Sequence, residues 1–192
     1  FDDSLSDFQL VLRRQRAGGG GDYPEAMHEA LARAERLAWR EEGVARILFL
    51  VADAPPHDKY IRQTIASARE LRRRGVAIYP VAASGVADKA EYVMRLSALL
   101  TQGHYCFLTD DSGVGNAHAE PQIPDYFVQQ LNHLMIRLIR SELAGRRIQP
   151  EPGRILRTVG TPGRVESLAA APTGKDTGAC AEAAIPPPIA VF

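Results

Sequence analysis

The sequence predicts an α/β fold of Rossmann-like, doubly wound type, with a mainly parallel sheet flanked by helices. Three apolar runs, RILFLVA, VAIYPVAA and HYCFLT, are continuous rather than alternating. That pattern suits strands covered on both faces of a parallel sheet. The stretches around them carry helical periodicity, and strands separated by helices of such length imply right-handed βαβ crossovers.

The opening FDDSLSDFQLVLRRQRA reads as a polar helix with no strand before it, so the first strands of the sheet are expected to be missing. Phe1 in place of Met fits a fragment or a processed chain, whose upstream part could hold a targeting segment. Next, DYPEAMHEALARAERLAWR sets Asp22 and Glu25 at capping-box spacing, with Pro24 in the first turn. Met27, Ala30, Leu31, Ala34, Leu37 and Ala38 then recur along one face.

After the strand RILFLVA, a second amphipathic helix in KYIRQTIASARELRRRG runs through Ile61, Ile65, Ala68 and Leu71, with Gly75 expected just past its end. The cations of Arg72 to Arg74 complement the macrodipole there. VAIYPVAA is the next strand, against which Pro80 is a mild objection. DKAEYVMRLSALLTQG repeats the capping-box spacing at Asp88 and Glu91, and Gly103 punctuates its end. HYCFLT follows as a strand, and PDYFVQQLNHLMIRLIRSELAG as one long last helix.

Composition divides the chain into a partial α/β domain over residues 1–145 and a Pro/Gly/Ala-rich tail over 146–192. Seven of the 13 prolines follow Arg147, and large apolar residues become scarce. A disordered tail or linker is the expectation. IPPPI within it could serve a partner domain as a short Pro-rich ligand.

Formal net charge is zero and the pI is near 7.1, so no global field favours nucleic acid or anionic lipid. Without any run of about 18 apolar residues, no transmembrane helix is expected. Cys106 and Cys180 form neither a disulfide framework nor a metal-ligand spacing; Cys106 reads as a buried free thiol.

Chemistry is expected beyond the carboxyl ends of the strands. Loops there carry Asp53, His57 and Asp58; Ser84 and Gly85; and TDDSGVGNAH with Asp110, Asp111, Ser112 and His118. The GGGGD loop with Asp22 enters its helix at the same rim. Oxygen ligands with few histidines favour Mg²⁺, Mn²⁺ or Ca²⁺ over zinc. Each candidate has a plainer reading. Asp22 can simply cap a helix. Asp53 can serve a turn, although an acid leaving a buried strand needs a partner or a cation. Pro55 and Pro56 stiffen that exit. His57 is expected to be a neutral histidine bonded to backbone, and Asp110, Asp111 and Ser112 to be turn formers. Trp39 and Tyr60 read as core and rim aromatics.

GGGGDYPEAMHEAL, AWR and ARILFLVADAPPH together resemble the central stretch of a von Willebrand factor type A domain, in particular bacterial members with a GGGD.PE loop and a DAPPH strand exit. The similarity extends over about residues 1–145. It implies an α/β sandwich with a divalent-cation adhesion site built from a DxSxS motif, a threonine and a late aspartate. Asp53 matches the late aspartate, and Asp22 stands where the threonine would. DDSLS near the start precedes a helix rather than following a strand, so the DxSxS strand would lie upstream of Phe1. The resemblance implies a non-enzymatic module that engages a protein ligand through the cation. The alternatives are a structural domain with a degenerate site, or a metal-assisted hydrolase using Asp53, His57, Asp110 and His118. No nucleophile–base–orienter pattern favours the hydrolase.

Overall fold

A computed structural model describes residues 4–16, 23–83, 86, 88–112, 118, 120, 123–162 and 189–191. Five helices occur among them: α1 (Leu5–Arg14), α2 (Met27–Glu35), α3 (Ile61–Arg73), α4 (Asp88–Thr101) and α5 (Leu131–Ala144). The strands are β1 (Arg46–Ala52), β2 (Val76–Ala82), β3 (Cys106–Leu108), β4 (Tyr126–Gln129), β5 (Ile155–Val159) and β6 (Ile189–Val191). They form one sheet in the order β1-β2-β3-β6-β4-β5. All neighbours pair parallel except β4 and β5. The α/β architecture with a mainly parallel sheet is therefore as expected.

Alternation along the strands sorts side chains onto two faces. Leu48, Leu50, Ile78 and Phe107 join Met27, Leu31, Ala68, Leu71, Val93 and Met94 in a core beneath α2, α3 and α4. Phe49, Tyr79, Val81 and Cys106 meet Leu134 and Leu138 of α5 on the other face. Burial pushes the Cys106 thiol up to about 12, so at neutral pH it is a small apolar core group.

Small residues let the first layer sit close. Ala68 and Ala90 are fully buried. The hydroxyls of Thr64, Ser97 and Thr101 each donate to the carbonyl four residues back, at 2.8 to 2.9 Å, which satisfies them without a partner from another element. Thr101 Oγ1 also accepts from the Ile78 amide at 2.9 Å. A buried β2 donor is thus closed by the last residue of α4. Pro80 fits β2 because the ladder to β3 opens at Val81, one residue past it.

Helix ends follow local rules with one exchange of roles. Gly75 at φ +72 ends α3, as its position predicts. At the end of α4 the left-handed residue is Gln102, at φ 61, and not the glycine. Gly103 donates to Ala98 O at 2.9 Å and Gln102 to Leu99 O at 3.3 Å, a Schellman-type closure. Gly103 is needed one place later, where the chain crosses the backbone of Ile78. Gln102→Gly should therefore raise stability by about 0.5 kcal/mol, the relief of the left-handed side chain less the added chain entropy. A small upward shift of the melting temperature checks it.

Three expectations are corrected. Helix α2 starts at Met27 after the N-cap Ala26, which makes no side-chain cap. No capping box runs through Glu25, because Glu25 is held in a bridge to Pro56. The long last helix starts only at Leu131. Residues Tyr126–Gln129 ahead of it are β4, where Tyr, Phe and Val suit a pleated surface and pair with both β5 and β6. Nor is the 146–192 stretch a linker throughout, since β5 and β6 both lie in it and both pair into the sheet. Residues 163–188 lie outside the described residues.

Candidate functional site

The rim at the carboxyl ends of β1, β2 and β3 is the place to look for chemistry, because these three strands are parallel and release their loops on one side. Asp53 follows the last residue of β1. It is exposed, and among the described residues it meets no hydrogen-bond donor and no cation. Behind it Ala54, Pro55 and Pro56 are buried, so the acid projects from a packed, stiffened base. A single 3-10 turn, Asp58–Tyr60, then leads into α3.

The chain entering α2 is tied to this exit. The Glu25 amide donates to Pro55 O at 2.8 Å, and Glu25 bridges Pro56 in parallel sense. In the first turn of α2, the buried His28 ring stacks on Tyr60 with centroids 3.8 Å apart and planes 16° off parallel. Lys59 Nζ lies over the same Tyr60 ring, 4.8 Å from its centroid. Backbone pairing and ring stacking together fix the entry of α2 against the exit of β1. The two loops singled out from sequence are therefore neighbours. Asp22 itself lies outside the described residues, as do Ser84 and Gly85.

The remaining candidates are engaged elsewhere. Asp58 accepts from Lys89 Nζ at 2.7 Å, linking the β1 exit to the first turn of α4. His57 precedes the 3-10 turn and meets Tyr60 edge-on at 6.2 Å. Asp110 Oδ1 accepts from the His118 amide at 2.6 Å, which is the loop-closing role that its residue type predicts. Asp111 Oδ2 accepts from Thr109 Oγ1 at 3.1 Å and from Arg157 Nη2 at 2.8 Å. Arg157 also pairs with Glu120, which in turn accepts from the Tyr126 hydroxyl. The two carboxylates hold the guanidinium above its ordinary range, Glu120 contributing most. This clasp fastens the β3 exit to β5. Nothing in the sequence announced it, since Asp111 and Arg157 are 46 positions apart.

β1 and β3 are separated by β2, so their exits stand about 10 Å apart at ordinary strand spacing. Asp53 and the Asp110–Asp111 pair therefore do not share one cation by direct coordination. No group of three or more His, Cys, Asp or Glu side chains that could hold a metal occurs among the described residues. Asp53 offers a carboxylate at the rim that no described residue engages. That suits a hard cation such as Mg²⁺, which keeps several waters and takes one or two carboxylates directly. It does not amount to a complete ligand set.

No protein family, no curated protein and no solved structure matches this chain. No helix among the described residues is long and apolar enough to cross a membrane.

Proposed function

We propose that the chain is part of a von Willebrand factor A-like module, non-enzymatic, which binds a protein ligand through a divalent cation held at the β1 rim. The reading rests on one observation above others: the Glu25–Pro55 hydrogen bond at 2.8 Å, which ties the GGGGDYPEA and DAPPH loops together. Asp53 leaves one of these loops. Asp22 stands three residues ahead of Glu25, a stretch of chain that spans at most about 10 Å, so it has the reach to approach Asp53. The cation would be Mg²⁺, with Mn²⁺ or Ca²⁺ as substitutes, and an open coordination position would take an acidic group of the partner.

The outer edge of β1 also supports the reading. β1 pairs only with β2 among the described strands, and its seven residues carry a single charge, at Arg46. An unguarded apolar edge of this kind is normally paired or covered. A strand bearing DxSxS would pair there and bring the missing oxygen ligands beside Asp53.

Isothermal titration calorimetry tests the proposal. A chain that includes the upstream strand should bind Mg²⁺ or Mn²⁺, and Asp53→Ala should remove the heat. The 192-residue chain should bind far more weakly. Superimposable titrations of wild type and Asp53→Ala would discard the metal site.

A further inference from the structure

The layer formed by α2, α3 and α4 concentrates positive charge. α3 packs between α2 and α4, and all three seat on one face of the sheet. Residues 27–36 and 61–74 are α2 and α3 with their C-caps. They hold seven arginines, no lysine and three glutamates, whereas the whole chain is formally neutral. Arg33, Arg36, Arg62, Arg69 and Arg72 are exposed. Among the described residues the side chains of these five form no hydrogen bond and no ion pair.

These cations face away from the sheet. Arg62, Arg69 and Arg73 share one stripe of α3 by helical spacing, opposite the buried Thr64, Ala68 and Leu71. Arg33 and Arg36 lie likewise opposite the buried Leu31 of α2. From Arg62 to Arg73 the stripe is about 16 Å long, and each neighbouring helix adds about 10 Å of width. Glu70 is taken by Arg73 and Arg74, at 3.0 and 3.5 Å. A shallow cleft of about 270 Å³ between α2 and α3 is lined by Glu29, Ala32, Arg33, Arg36 and Gln63, so two guanidinium groups border a depression of phosphate size. On α4, Tyr92 and Leu99 stand seven residues apart and are 64% and 61% exposed. They lie opposite the buried Met94, Ala98 and Thr101. Large apolar side chains thus border the cationic field on one outer surface.

We propose that this surface docks the protein on an anionic membrane, with the arginines meeting headgroup phosphates and Tyr92 and Leu99 entering between the headgroups. Arginine suits phosphate because its planar fork offers paired donors. A cluster of cations is drawn to an anionic bilayer, and flanking aromatic and aliphatic side chains bury apolar area at the interface. A nucleic-acid duplex is the poorer match. Helices seated side by side on one sheet face present a shallow plane, and none stands proud enough to enter a major groove. Tyr92 and Leu99 would also gain nothing against a phosphate backbone. Because the chain as a whole is neutral, the attraction is local and turns this one face toward the bilayer. The proposal uses no residue of the metal reading and does not depend on it.

Co-sedimentation of the full chain with lipid vesicles tests it. At about 0.1 M salt the wild type should partition onto vesicles rich in phosphatidylglycerol and stay in solution with pure phosphatidylcholine. Each cation near an anionic surface is worth about a fivefold gain in binding, so the pair Arg33→Ala, Arg36→Ala and the pair Arg62→Ala, Arg69→Ala should each weaken it by about 25-fold. The pair Tyr92→Ser, Leu99→Ser should also weaken binding while leaving its salt dependence intact. All six side chains are exposed, so the variants should keep the melting temperature of the wild type. A wild type that ignores anionic vesicles, or binds neutral ones equally well, overturns the proposal. So does vesicle binding that survives both pairs of arginine substitutions, which would put the contact elsewhere on the chain. A wild type that prefers a DNA duplex to the vesicles overturns it as well.

Discussion

Gly103→Ala should destabilise the protein by about 3 kcal/mol or more, at the upper end of what forced overpacking costs. A Cβ at this position would lie 1.8 Å from Ile78 O and 2.6 Å from Ile78 C. Both atoms belong to the backbone of β2, in the middle of the sheet, so no rotamer change gives relief. Either α4 lifts off β2 or β2 shifts against β1 and β3. Lifting α4 also breaks the bond from the Ile78 amide to Thr101 Oγ1, leaving a buried donor unpaired at a further cost of about 1–3 kcal/mol. In a chain of this size the melting temperature should fall by roughly 6–12 °C for the first contribution alone. A differential scanning measurement that finds Gly103→Ala within a degree of wild type would show that α4 does not seat against Ile78 in this way.

Phe107→Ala is the other large effect, and its origin is a void rather than a clash. Phe107 is 1% exposed, in the short strand β3. Tyr126 meets its ring edge-on with centroids 5.1 Å apart, and Tyr105 lies at 6.1 Å. Truncation removes the central ring of this trio, at a cost of about 3–5 kcal/mol. Phe107→Leu keeps most of the volume and should cost less than about 1.5 kcal/mol. Chemical denaturation of both variants checks the ratio. Similar losses for Leu and Ala would mean that the aromatic geometry matters more than the volume. The variant also bears on the rim, because β3 delivers Thr109 to Asp111 to the Arg157 clasp.

What the sequence revealed, and what it concealed, follows from the range of the forces involved. β1, β2 and α3 declare themselves locally, through unbroken apolar runs and a clear helical stripe closed by Gly75. β4 does not, because Phe127 sits in phase with Leu131, Leu134 and Leu138, and so extends the period of α5 backward. The strand prevails through hydrogen bonds to partners at residues 155–159 and 189–191, which no window around Phe127 contains. β6 is three residues beside a run of prolines, and only the slot between β3 and β4 makes it a strand. At the rim, Asp53 could be placed from the strand that precedes it. The Glu25–Pro55 bond, the His28–Tyr60 stack and the Arg157 clasp all join distant positions, and composition carries no trace of such pairings.

The position of β6 also has a consequence for how the protein is made. β3 and β4 are laddered to one another only through Ile189–Val191, a segment that leaves the ribosome long after both of its neighbours. During synthesis β1, β2 and β3 can assemble with α3 and α4, while β4 and β5 remain a separate flap with an unzipped border. Each nascent molecule thus passes through a stage with two half-sheets and a raw seam, and the closing stitch is translated after both of the borders it joins.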